Sequence, residues 1–226
     1  MKVADNLAAI QKNIQQACQN SNRGEQEITL IGVTKYVTIE RAKEAVEAGI
    51  VHLGENRIEG LLNKKAEIGS EATWHFIGSL QSRKVKEIIE EVDFIHSLDR
   101  KSLAKEINKR AGSVINCFVQ VNVSGEESKH GLKPNEVIPF IEDLSKFEMI
   151  RIVGLMTMAP FVENEEILRN TFGQLRELRD EIEGKGWKHA PCHYLSMGMS
   201  NDYRIAIEEG ATHIRIGSEL VGPYDE

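Results

Sequence analysis

The pattern that most restricts the fold is an alternation. A short apolar run and then a segment of helical period follow one another eight times along the 226 residues. The runs are Ile28–Val33, Val51–Gly54, Trp74–Ile77, Phe94-Ile95, Cys117–Val123, Ile150–Leu155, His193–Leu195 and Thr212–Ile216. Apolar stretches of this length, bounded by turn residues, read as buried strands. Between them apolar residues recur at helical spacing. Examples are Val85, Ile88, Ile89 and Val92, and Leu168, Phe172, Leu175, Leu178 and Ile182. Thr38, Asp99 and Ser200 stand where N-caps belong, and Pro134 suits a first helical turn. An additional amphipathic helix over residues 4–19, with Leu7, Ile10, Ile14 and Ala17 on one face, precedes the first strand.

Each helix returns the chain to the same edge, so successive strands run parallel. Eight such units predict an α/β fold, a closed (β/α)8 barrel of TIM type with an extra N-terminal helix. The rival, a doubly wound open sheet, places a glycine-rich turn after its first strand. Here that turn reads Thr34-Lys35-Tyr36-Val37, without glycine. No linker or low-complexity tract interrupts the pattern, so residues 1–226 are expected to form a single barrel domain.

In a closed barrel the first, seventh and eighth strands are neighbours, and their C-terminal loops share one mouth. Lys35 ends the first strand. Gly198-Met199-Ser200 follows the seventh, and Gly217-Ser218 follows Arg215 on the eighth. Either late turn alone is an ordinary helix cap. Two on consecutive strands favour a phosphate held by backbone N–H groups and serine hydroxyls. Lys35, beside Leu30, Ile31 and Val33, can lose solvation and serve as a Schiff-base amine. Arg215, inside the strand Ile214–Ile216, needs an acceptor, either a glutamate in a structural ion pair or a ligand atom. Together these groups suit an anionic, carbonyl-bearing cofactor, with pyridoxal phosphate as the candidate.

The rest of the composition narrows the partners. A net charge of −7 argues against nucleic acid or an anionic membrane. Cys18, Cys117 and Cys192 are odd in number and far apart, which suits a reducing compartment better than a disulfide framework. With neither a signal-like segment nor a long apolar run, the chain is expected to be cytoplasmic. His189 and His193 have HxxxH spacing but straddle a proline, and no metal site is expected. Lys129, in the loop after the fifth strand, reads as a solvated lysine, and Cys192 as a core thiol.

Six segments carry a more specific likeness. They are Thr34-Lys35, Gly54–Arg57, His75–Gly78, Gly154–Pro160, Leu195–Ser200 with Asp202, and Gly210–Ser218. In combination they resemble the pyridoxal phosphate homeostasis proteins, a family similar to the N-terminal barrel of alanine racemase standing alone. The likeness runs from about residue 5 to 222. It implies that Lys35 is the internal aldimine lysine and that Ser200, Gly217 and Ser218 hold the phosphate. It places Arg215 at the pyridine nitrogen, with Asn56 and Met156 near the ring. Ser79 and Arg83 depart from the His and Asn more often seen there.

The implied role is cofactor holding: pyridoxal phosphate kept as a lysine aldimine for vitamin B6 homeostasis and passed to apo-enzymes. An arginine at the pyridine nitrogen makes the ring a poor electron sink. The chain is also expected to lack the β-rich second domain whose tyrosine serves alanine racemase, and with it that domain's dimer contact. A monomer without catalytic residues is therefore expected. The alternatives are a weak amino-acid racemase, and a barrel enzyme using Lys35 on a sugar phosphate.

Overall fold

The computed structural model describes residues 2–126 and 129–222. The apolar runs become β1 (Thr29–Val33), β2 (His52–Glu55), β3 (Thr73–Phe76), β4 (Phe94–Leu98), β5 (Ile115–Gln120), β6 (Ile150–Met156), β7 (Tyr194–Ser196) and β8 (His213–Ile216). They close into a barrel in chain order, and every neighbouring pair is parallel. Thus β1 bonds to β2 on one side and β8 on the other.

The helices are α1 (Val3–Asn20), α2 (Ile39–Glu47), α3 (Ile58–Ile68), α4 (Val85–Ile88), α5 (Lys101–Arg110), α6 (Pro134–Asp143), α7 (Glu165–Gly184), α8 (Tyr203–Glu208) and α9 (Ser218–Val221). The extra helix α1 buries Val3, Leu7, Ile10 and Ile14 and lies against α8 and α9. Asn6 Nδ2 donates to the Leu220 carbonyl at 2.8 Å, and Asn13 Nδ2 to the Tyr203 hydroxyl at 2.9 Å. The first helix therefore braces the two short helices that follow β7 and β8. Among the described residues no helix is long and apolar enough to cross a membrane.

Two cores result from the period-two alternation of the strands. The outer one lies between sheet and helices and contains Leu53, Leu61, Ile95, Leu103, Phe172 and Leu220. Each such side chain contributes roughly 1.5–3 kcal/mol by leaving water. The inner one packs Phe118, Val153 and Met156 against Phe94. Much of the remaining interior is polar. His75, His96, His213 and Arg215 are buried there, each at 5% exposure or less. The three cysteines are buried thiols, and burial raises Cys192 to about 12.

Several local expectations are corrected. Thr38 does cap α2, accepting from the Arg41 N–H. Asp99 does not cap α5. Arg100 holds that position, and the Asp99 carboxylate takes the Arg100 guanidinium at 2.6 Å. Ser200 does not cap α8, because the chain makes a further turn and Asp202 precedes the helix. Strand β5 stops at Gln120, and Val121 makes only an isolated bridge to Leu132. Val85, Ile88, Ile89 and Val92 are all buried as expected, although α4 spans only the first four residues of that stretch.

Candidate cofactor site

The first strand delivers Lys35 by alternation. Val33 and Lys35 face the barrel mouth, and Thr34 between them turns outward beneath α3. There the Thr34 hydroxyl donates to Glu55 Oε1 at 2.7 Å. The Lys64 ammonium, from α3, donates to the same oxygen at 2.9 Å and to the Thr34 carbonyl at 2.8 Å. Glu55 is fully buried and Lys64 nearly so. A buried ion pair therefore grips the peptide immediately before Lys35. Lys35 itself is half-buried, with Nζ 4.9 Å from the Tyr36 ring centroid.

The second and third strands supply Asn56 and its support. A Cβ on Gly78 would stand 2.3 Å from the Asn56 carbonyl oxygen, so only glycine lets the two loops meet. Asn56 Oδ1 is buried and has no hydrogen-bond partner among the described residues.

After β7 the chain turns through Gly198, whose φ is +95°. A Cβ there would lie 2.6 Å from Ala206 Cβ, so the glycine seats α8 against the turn. Asp202 Oδ1 accepts from the Met199 N–H at 2.6 Å. That amide is therefore already satisfied, so Met199 does not supply one of the free N–H groups expected in this turn. Burial raises the Asp202 pKa, although the Met199 N–H and the Arg215 charge oppose this. The Ser200 side chain remains at the cavity wall. After β8, Gly217 and Ser218 open α9 on the same wall.

Arg215 points inward from β8. Its Nη1 donates to Ser196 Oγ at 2.6 Å, and Nη2 to the Thr157 carbonyl at 3.1 Å. Of the two acceptors weighed for it, the glutamate of a structural ion pair is not found among the described residues. Burial lowers its pKa to about 10, with Asp202 acting the other way, so it stays a cation at neutral pH.

Lys35, Asn56, Met156, Ser200, Arg215, Gly217 and Ser218 all line one cavity of about 450 Å³. Tyr36, Ser79, Met158, Met199 and Asn201 line it too. Two of its described lining side chains are cationic and none is acidic. In a chain of net charge −7, that is a local reversal of sign. Lys129 lies elsewhere, paired with Glu126 at 2.7 Å. His189 bonds to the Ile141 carbonyl and His193 to Glu183, so the two do not share a ligand site. Arg83 bonds to the side chain of Gln81. Sequence reasoning missed Tyr36, and it missed the Glu55–Lys64 clamp. A lone lysine on the buried face of α3 was the available signal for the clamp.

The model of the alanine racemase N-terminal domain matches residues 6–225. A pyridoxal phosphate homeostasis protein of Aquifex aeolicus is 42% identical over 98% of both chains. The chain belongs to the pyridoxal phosphate homeostasis protein family. Among solved structures, PipY of Synechococcus elongatus PCC7942 with PLP bound superposes with a TM-score of 0.84. It is 31% identical and covers 97% of this chain and 100% of its own. Alanine racemase of Clostridium difficile 630 shares the fold at a TM-score of 0.79 and 19% identity, with 57% of its own chain covered. The homeostasis family thus has the architecture of one part of a larger racemase.

Proposed function

We propose that this protein binds pyridoxal phosphate in the cavity at the barrel mouth, holds it through Lys35 and delivers it to apo-enzymes, acting as a monomeric carrier in vitamin B6 homeostasis. The observation that carries this reading is the cavity lining, in which the lysine at the end of β1 is accompanied by a second cation, Arg215, and by no carboxylate among the described residues. Membership of a family whose relatives are named for pyridoxal phosphate homeostasis supports it. The bound group supplies an aldehyde that condenses reversibly with a primary amine, and a ring that absorbs visible light once it has done so.

The chain's own groups fit that ligand. Lys35 presents the amine. Ser200, Ser218 and the Gly217–Ser218 backbone present donors to the phosphate. Asn56 Oδ1, buried and unpartnered, can accept from the ring hydroxyl. Arg215, a cation at neutral pH because its pKa falls only to about 10, would donate to the ring nitrogen and so keep a proton from it. Met156 closes the floor.

The same lining argues for holding over turnover. Racemisation needs an acid and a base on opposite faces of the substrate. Lys35 and Tyr36, the amine and the phenol among the described lining groups, are consecutive residues in contact. They occupy one side of the site.

An absorbance scan with added pyridoxal phosphate tests the reading, followed by borohydride treatment and peptide mapping. The expected result is a visible band that borohydride bleaches, with the label on Lys35. Lys35→Ala should lose the band and remain folded. A full-stoichiometry adduct in that variant overturns the assignment.

A further inference from the structure

Three histidines with no part in the proposed site form a column through the barrel. His52 is the first residue of β2, His75 the third of β3 and His96 the third of β4. The register explains their rise. Thr73 lies opposite His52, and His75 is two residues beyond it. Phe94 lies opposite His75, and His96 is again two residues beyond. Each strand therefore lifts the next ring by one inward position, from the end of the barrel where the strands begin toward the mouth.

The rings are bonded in series. His52 Nδ1 meets His75 Nε2, His75 Nδ1 meets His96 Nε2, and His96 Nδ1 meets Ser196 Oγ, each at 2.9 Å. Ser196 Oγ in turn accepts from Arg215. Phe94 stacks on His75 at 4.5 Å and Phe118 on His96 at 4.3 Å, which fixes both ring planes.

Arg215 sets the direction of every bond in the series. A guanidinium has donors only, so Ser196 Oγ must accept from it. Among the described residues, the hydroxyl's other partner is His96 Nδ1, so its proton goes there. His96 then carries hydrogen on Nε2 and donates to His75 Nδ1. His75 donates from Nε2 to His52 Nδ1. His52, half-buried, keeps its Nε2–H toward the opposite end of the barrel. Each contact receives one proton, and each ring is neutral. Burial lowers the pKa of all three rings, which agrees with neutral rings throughout.

We propose that His96, backed by His75 and His52, is a positioning residue for Arg215: it holds the Ser196 hydroxyl as an acceptor for the guanidinium and so fixes the guanidinium's aim at the cavity. This rests on the reading that Arg215 faces the ring nitrogen of bound pyridoxal phosphate. Without an acceptor at His96, the hydroxyl can rotate and the guanidinium loses one fixed partner. The ring nitrogen then gains access to a proton.

Two measurements test this. The first is long-range 1H–15N correlation of imidazole-labelled full-length protein without ligand. The expected result is the Nε2–H tautomer for His52, His75 and His96 at neutral pH. A proton on Nδ1 of His96 overturns the proposal whatever the protein binds. The second compares His96→Leu with His96→Asn, whose Oδ1 can replace Nδ1 as acceptor. His96→Leu should bind pyridoxal phosphate about tenfold more weakly. Its pH–absorbance profile should gain a titration step near neutrality that the unsubstituted protein lacks. His96→Asn should restore affinity to within about threefold and remove the extra step. Identical affinity and profile in His96→Leu overturn the proposal. Failure of the cofactor reading looks different, because the unsubstituted protein then shows no band at all.

Discussion

Arg215 donates to the Ser196 hydroxyl at 2.6 Å, so a guanidinium only 4% exposed is held by a neutral oxygen. Among the described residues no carboxylate forms an ion pair with it. Its charge is therefore not cancelled within the protein and remains available to an anionic or electron-rich ligand. That is the opposite of a structural salt bridge, where the partner is built in.

The Ser200 hydroxyl is expected to contact phosphate. Replacing it by alanine removes one bond to a charged acceptor, worth roughly 1.5–3 kcal/mol. The affinity for pyridoxal phosphate should fall about ten- to a hundredfold. Pyridoxal, lacking the phosphate, should bind the two proteins alike. Isothermal titration with both ligands decides it, and equal losses for both would contradict the phosphate contact.

Lys64→Met leaves the Glu55 carboxylate buried without its cation. Breaking a buried pair from one side costs about 3–5 kcal/mol. Urea unfolding should show a loss of that order, with the slope unchanged. Adding Glu55→Gln should recover most of it, since the amide oxygen still accepts from Thr34. A single variant as stable as the parent would mean that the pair does not grip the Lys35 peptide as described.

Stability should decline below pH 6.5. Burial holds His75 and His96 well below the ordinary imidazole value and His213 at about 3. In the unfolded chain these rings titrate near 6.5, as free imidazoles do at about that value. Below that pH the unfolded state binds protons that the folded state refuses, so acid favours unfolding. The contribution is complete above about 6.5 and is lost as pH falls toward the folded values. Each buried ring adds a slope of about 1.4 kcal/mol per pH unit. Urea midpoints between pH 7 and 5 should follow this trend, and His213→Gln should be shallower by one ring. A flat profile would require charged rings in the folded barrel.

Turnover should be absent or marginal. Acid–base assistance typically contributes about 10²–10⁴-fold, and Lys35 and Tyr36 stand side by side in the cavity wall rather than on opposing strands. Assays with L- and D-alanine should show no racemisation above the rate of free cofactor, while a coupled assay shows reactivation of an apo-enzyme. A turnover number near the enzyme median of about 10 s⁻¹ would establish the racemase alternative instead.

The eightfold alternation, the strand centres and the neighbourhood of Lys35, Arg215 and Ser218 were legible in the chain, because parallel closure follows from local periodicity and chain order. Asn56 and Met156, distant in sequence, were grouped with Lys35 by likeness of short motifs, and both line the same cavity. Cap identities were less legible. Asp99 and Ser200 have the right chemistry for N-caps, but Arg100 competes for the first, and an added turn ending in Asp202 displaces the second.

Tertiary structure alone decided how the polar interior is wired. His52, His75 and His96 recur once per strand–helix unit, which alternation marks as inward-facing, yet nothing in that spacing says that the rings touch. Contact depends on the stagger between strands, two residues per step, and stagger is a property of barrel closure. The same holds for Thr34, Glu55 and Lys64, which meet only because α3 folds back over β1 and β2. Periodicity along one segment determines which face a side chain takes, whereas the distance between faces is set by the packing of segments that are far apart in the chain.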